Sequence, residues 1–196
     1  MTVVRPPRRL SKEARREQLV AAAMPIVAEQ GFGEFSLDEI ADRADVTRNL
    51  LYHYFPRGRD DVVLAVVDRA CRELSEDWVV DESLPLSDRL TANFARTMGQ
   101  ALAPSVAWRV YRRARAAGQP EIDEIVAVYT ERVISSISLN HLGRSKPPAL
   151  VHLALTGFLA FAEAALDEAR ITKAPRKRVT KLLSDTLGAT IQAASS

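Results

Sequence analysis

Apolar residues recur along this chain at three- and four-residue spacings, the period of helices with one buried face. Leu19, Ala22, Ala23, Ile26 and Val27 form the first such stripe, between a start signal at Ser11 and a stop at Gly31. Pro25 lies inside it and is expected to kink the helix, because its ring removes an amide donor and crowds the preceding turn. Ser36-Leu37-Asp38-Glu39 has the form of a capping box, in which the Ser36 hydroxyl accepts from the Glu39 amide and the Glu39 carboxylate reaches back. A short helix follows through Ala44, then a turn at Asp45-Val46. Thr47 can cap a second short helix that runs to about Tyr54. Longer amphipathic segments are expected at about 59–78, 87–102, 105–117, 121–142, 148–169 and 175–193. Pro120, Pro148 and Pro175 stand where first turns of helices accept proline. No strand-like alternation persists, so the pattern predicts an all-α chain of about nine helices.

Residues 36–55 have the proportions of a helix-turn-helix. Leu37, Ile40, Ala41, Val46, Leu51 and Phe55 would hold the two short helices at a fixed angle. That leaves Arg48, Asn49, Leu50, Tyr52 and His53 pointing outward. A seven-residue helix is about 10 Å long, short enough to seat in a major groove about 12 Å wide.

Charge sharpens this picture. The net charge of +2 conceals an N-terminal excess: residues 1–16 carry Arg5, Arg8, Arg9, Lys12, Arg15 and Arg16 against Glu13 alone. From residue 60 onward, basic and acidic side chains are equal in number. A basic arm beside an exposed short helix fits contact with nucleic-acid phosphates. Pro6-Pro7 discourages the arm from joining the first helix. No apolar run reaches the length needed to span a bilayer, and no signal-peptide core is present, so a cytoplasmic chain without a membrane partner is expected. Cys71 is the single cysteine, and His53, His141 and His152 are scattered without a ligand motif. Neither a metal site, a cofactor nor a catalytic constellation is expected.

The stretch GFGEFSLDEIADRADVTRNLLYHYF resembles the DNA-binding region of the TetR family of bacterial repressors, with the match running from about Leu19 to Leu64. The resemblance implies a basic arm and three-helix DNA-binding head at 1–58, followed by a helical effector-binding and dimerisation domain at 59–196. It implies that Thr47 and Tyr52 contact phosphate, with His53 or Tyr54 assisting, and that Arg48, Asn49 and Leu50 read bases. Arginine can grip guanine, asparagine can pair with adenine, and leucine can touch a thymine methyl. Ser36, at the head of the first short helix, belongs to the same surface. Three positions depart from the family pattern: Asp45 stands at the usual turn glycine, Asn49 at a frequent glycine or proline, and Gly58 at a phosphate-binding lysine. Arg57 and Arg59 flank Gly58 and can supply that charge, with the Gly58 amide beside them.

In the second domain, Phe94, Met98, Trp108, Tyr111, Arg112 and Tyr129, with Phe158 and Phe161 from the eighth helix, are candidate lining for a small, largely apolar effector. Val179, Leu182, Leu183, Thr186, Leu187, Thr190 and Ile191 form a stripe that, with the preceding Ala-rich helix, suggests a homodimer through the last two helices. The function implied is a regulator, released from a palindromic double-stranded operator by its effector. A ligand-independent nucleoid or architectural protein is the alternative, but it has no need of so large an aromatic-bearing helical domain.

Overall fold

A computed structural model describes residues 10–76, 83–85 and 105–196. Among these residues the chain is all helical, with eight helices. They are α1 (Lys12–Gln30), α2 (Leu37–Arg43), α3 (Arg48–Tyr54), α4 (Arg59–Glu76), α5 (Val106–Ala117), α6 (Pro120–Leu142), α7 (Ala149–Ile171) and α8 (Arg176–Ser195). The helix expected at 87–102 lies outside the described residues, as do Phe94, Met98 and the arginines of the arm.

Helix ends follow the local chemistry. Ser11, Thr47 and Ser105 each cap a helix by accepting an amide from Ala14, Leu50 and Trp108 respectively. Pro25 stays inside a continuous α1, and Gly31, at φ 92°, ends it. The capping box at Ser36 is not reciprocal as expected. Ser36 Oγ accepts from the Asp38 amide at 3.2 Å, and the Glu39 carboxylate instead accepts from Gln30 Nε2 at 2.8 Å. A partner on α1 has outcompeted the local return bond.

The α2–α3 turn is tight. The Val46 amide donates to Ala41 and the Asp45 amide to Asp42, which forces Asp45 to φ 52°. This left-handed conformation is the reason glycine suits the position. Leu37, Ile40, Ala41, Leu51 and Phe55 are buried, with Val46 partly so, as the pattern required.

α4 is the shared wall of the molecule. It packs against α1, α5 and α6, and α1 also packs directly on α5. Val62, Val63, Ala65, Val66, Val67, Ala70, Cys71 and Leu74 are all buried along it. Burial pushes the Cys71 thiol up to about 12, so it is held as the uncharged, inert thiol.

α7 and α8 pack on each other, and here two expectations change. Val179, Leu183, Leu187 and Ile191 are buried within the chain itself, Leu183 and Leu187 completely. They form the intramolecular seam; they are not free for a partner chain. The outward face of α7 instead carries Leu150, Leu153 and Phe161, with small Gly157, Ala160 and Ala164 between them. α7 is also long and apolar enough, by length and composition, to cross a membrane. Scattered polar residues such as His152, Thr156 and Glu163 break the uninterrupted run, yet alanine and leucine keep the average high.

Replacing Asp45 by glycine should raise the unfolding free energy by about 0.5–1 kcal/mol, the strain relieved exceeding glycine's extra chain entropy. Asp45→Val should lower it by about 1 kcal/mol or more, because a β-branched residue resists a left-handed backbone. Urea midpoints of the three proteins check both signs; an unchanged midpoint in both variants would show that the turn stores no strain.

Candidate nucleic-acid interface

One end of the molecule gathers the residues singled out on the two short helices. Arg48, Asn49, Tyr52 and His53 are exposed on α3 and Leu50 is half-buried. A cleft of about 510 Å³ opens beside them, lined by Ser36, Leu37, Asp38, Arg48, Tyr52, Pro56, Arg57, Gly58 and Arg59. Three arginines and two hydroxyls therefore converge on a shallow recess. The Thr47 and Ser36 hydroxyl oxygens are spent accepting helix amides, which leaves each hydroxyl hydrogen to donate outward.

None of the three arginines stands alone. Arg48 Nη1 donates to both Asp38 oxygens, at 3.1 and 2.8 Å, and Arg48 Nη2 lies 3.4 Å from the Tyr52 hydroxyl. Arg57 bridges Asp61 at 2.7 Å and Glu121, at the start of α6, at 2.9 Å. Burial alone would raise the Asp61 carboxyl, but the Arg57 amide and guanidinium, with Arg16 behind them, hold it below its ordinary value. Arg59 donates to the Gly33 carbonyl at 3.0 Å and lies over the Phe35 ring.

Gly58 has a φ of 66°, a left-handed backbone that strains any side chain, although an added Cβ would make only ordinary contacts with Tyr52 and Leu37. Its amide is already donated to the Phe55 carbonyl at 2.8 Å, so it is not free for a phosphate as the sequence suggested. Among the described residues, the flanking Arg57 and Arg59, with Arg48 across the cleft, offer the charge.

A profile of "Bacterial regulatory proteins, tetR family" matches residues 19–66. A tetR-family regulator from Streptomyces coelicolor superimposes with a TM-score of 0.75 at 26% identity, over 95% of this chain and 84% of that one. The chain belongs to the TetR family. It is thus placed among regulatory proteins, not enzymes. The transcriptional activator FasR of Mycolicibacterium smegmatis is 39% identical over 61 residues, 31% of this chain and 27% of its own length. The chain thus spans about a quarter of that curated relative. The multidrug binding protein EbrR, solved in complex with ethidium, shares the fold at a TM-score of 0.66 and 17% identity, over 88% of this chain and 98% of its own.

The TetR fold also brings part of the expected effector lining together. Trp108, Tyr111 and Tyr129 contact one another in sequence, the first pair tilted and the second edge to face, with ring centroids 5.6 and 5.0 Å apart, and Phe158 is buried. The indole Nε1 of Trp108 is buried and has no hydrogen-bond partner among the described residues. Tyr111 donates to Glu163 at 2.5 Å, and burial followed by that carboxylate raises its hydroxyl pKa. Arg112 is not an open cation: it pairs with Glu163 at 2.9 Å and with Asp167, which Arg170 also contacts. Phe161 departs from the group, 41% exposed on the outer face of α7. A wide cleft of about 1110 Å³ opens elsewhere, between α6 and the start of α7, beside Glu131 and His152.

The carboxylate of Asp38 is the feature of this surface that sequence reading missed. Its signal was present but ambiguous, because an acid in the first turn of a helix is ordinary.

Tyr52→Phe removes one hydroxyl from the cleft and leaves the ring in place. It should weaken random and selected duplex DNA by similar factors, about two- to tenfold, since phosphate contacts carry little base information. Fluorescence anisotropy on both duplexes checks this; a loss confined to the selected duplex would remove Tyr52 from phosphate duty.

Proposed function

We propose that this TetR-family chain is a ligand-responsive DNA-binding regulator, a repressor that leaves a palindromic operator when a small, largely apolar effector binds. The observation that carries this reading is the α3 face of Arg48, Asn49, Leu50, Tyr52 and His53 set beside a cleft rimmed by Arg57 and Arg59. In this reading residues 1–58 form the reading head, residues 59–196 the sensing body, and the basic arm lies along phosphates flanking the site. The similarity to FasR, a transcriptional activator, and to EbrR, which binds ethidium, supports a DNA-binding, ligand-sensing protein. The contacting rings of Trp108, Tyr111 and Tyr129, with an indole donor that has no partner among the described residues, support an aromatic-lined ligand site over a purely architectural role.

Release needs a mechanical link and a differential affinity. α4 supplies the link, because it is packed against the head and the body at once. Two side-chain bridges add to it: Arg57 to Glu121, and Arg113 to the Glu29 carbonyl at the end of α1. An effector shifts the heads only by binding the released state more tightly than the DNA-bound state.

Dimerisation through α7 and α8 would bring two heads to successive major grooves. The outward face of α7, with Leu153 67% and Phe161 41% exposed, supports that arrangement, and Leu182 adds to it from α8. Each such side chain contributes about 1.5–3 kcal/mol when fully covered.

Selection from a randomised duplex pool should return a palindromic sequence. Arg48→Ala should lower affinity for it about tenfold and relax preference at one position in each half. An unchanged selected sequence would remove Arg48 from base reading.

Leu153→Glu with Phe161→Glu should yield a folded monomer in sedimentation, with affinity for the selected duplex reduced about tenfold or more as the two heads lose their linkage. A stable dimer with full affinity would place the interface elsewhere.

A further inference from the structure

Asp38 is an oddity on a surface meant for DNA. It sits in the first turn of α2, on the rim of the arginine-lined cleft, and 57% of its side chain is exposed. A carboxylate there repels phosphate. A first-turn carboxylate is favoured by the helix dipole, which accounts for an acid at this position. It does not account for the grip on a base-reading arginine, since an exposed ion pair does little for stability.

Its geometry offers an account. Both Asp38 oxygens engage Arg48 Nη1, the Tyr52 hydroxyl lies 3.4 Å from Nη2, and the guanidinium carbon sits 5.7 Å from the Tyr52 ring centroid. The guanidinium is thus gripped along one side while 53% of the Arg48 side chain stays open to solvent. A free arginine on such a surface would swing to the nearest phosphate, a contact that every sequence offers. Held by Asp38, the planar fork keeps one direction, and its remaining N–H donors suit the paired O6 and N7 acceptors of guanine.

We propose that Asp38 is a specificity-determining positioning residue, which restrains Arg48 for guanine and penalises duplexes that lack guanine at that position. The inference rests on the reading of Arg48 as a base contact. On a matched site, the pair of hydrogen bonds to guanine offsets the cost of bringing Asp38 near the phosphates. On an unmatched site nothing offsets it. Asp38 therefore sharpens discrimination at the expense of overall affinity.

The test uses the full chain in four forms: wild type, Asp38→Asn, Arg48→Ala and the double variant. Each is put through selection from a randomised duplex pool and titrated against a random duplex. Asp38→Asn keeps the side-chain shape and removes the charge; Asp38→Ser is the second variant if it folds poorly, with thermal unfolding as the check. The expected result is that Asp38→Asn relaxes the same position as Arg48→Ala, binds random duplex about tenfold more tightly, and adds nothing to base preference in the double variant. Unchanged preference and unchanged random affinity in Asp38→Asn, with Arg48→Ala still relaxing its position, would overturn this inference and leave the reading of Arg48 standing. Uniform relaxation at every position would also overturn it, as the mark of a merely structural role. If Arg48→Ala changes no position, both readings fall.

Discussion

The burial of α4 among its neighbours is the constraint on which the rest of the structure depends. Its buried apolar residues join one continuous core with α1, α5 and α6. Protein interiors are close-packed, so a helix buried among these neighbours cannot shift against one without disturbing the others. The position of the short helices is thereby referred to the body of the molecule. Arg57 and Arg113 reinforce that reference at its edges through Glu121 and the Glu29 carbonyl. A ligand acting on the body need not touch the head to move it.

Electrostatic balance at the head has the same economy. Each arginine near the cleft already has an acceptor: Asp38 for Arg48, Asp61 and Glu121 for Arg57, the Gly33 carbonyl for Arg59. A phosphate must compete with each of these partners for the guanidinium. The surface is therefore charged without being indiscriminately adhesive. Strong attraction to any polyanion would leave little room for one sequence to be preferred over another.

Local rules were well marked in the chain. The stop at Gly31, the cap at Thr47 and the buried set from Leu37 to Phe55 all follow from spacing and side-chain chemistry. The left-handed turn at Asp45 was legible too, because the family pattern puts glycine there and the backbone conformation explains it. Tertiary competition was not legible. Glu39 pairs with Gln30 on another helix, which no capping rule contains. The stripe on α8 was recognised, but an apolar stripe does not announce whether its partner lies in the same chain. Leu183 and Leu187 are covered by α7, while the outer face of α7 remains open. Asp38 was overlooked for a related reason: its partner Arg48 lies ten residues on, across a turn whose angle only the fold supplies. The aromatic candidates divided similarly, with Trp108, Tyr111 and Tyr129 drawn together and Phe161 turned outward.

The thiol of Cys71 has a use that follows from its place on the shared wall. It is the one cysteine in the sequence, it is buried, and its raised pKa keeps it unreactive in the closed molecule. A thiol reagent reaches it only when α4 parts from its neighbours. Its alkylation rate is thus a clock for the parting of α4 from its packed neighbours, read without any engineered label. Because no second thiol contributes, that clock keeps a single time.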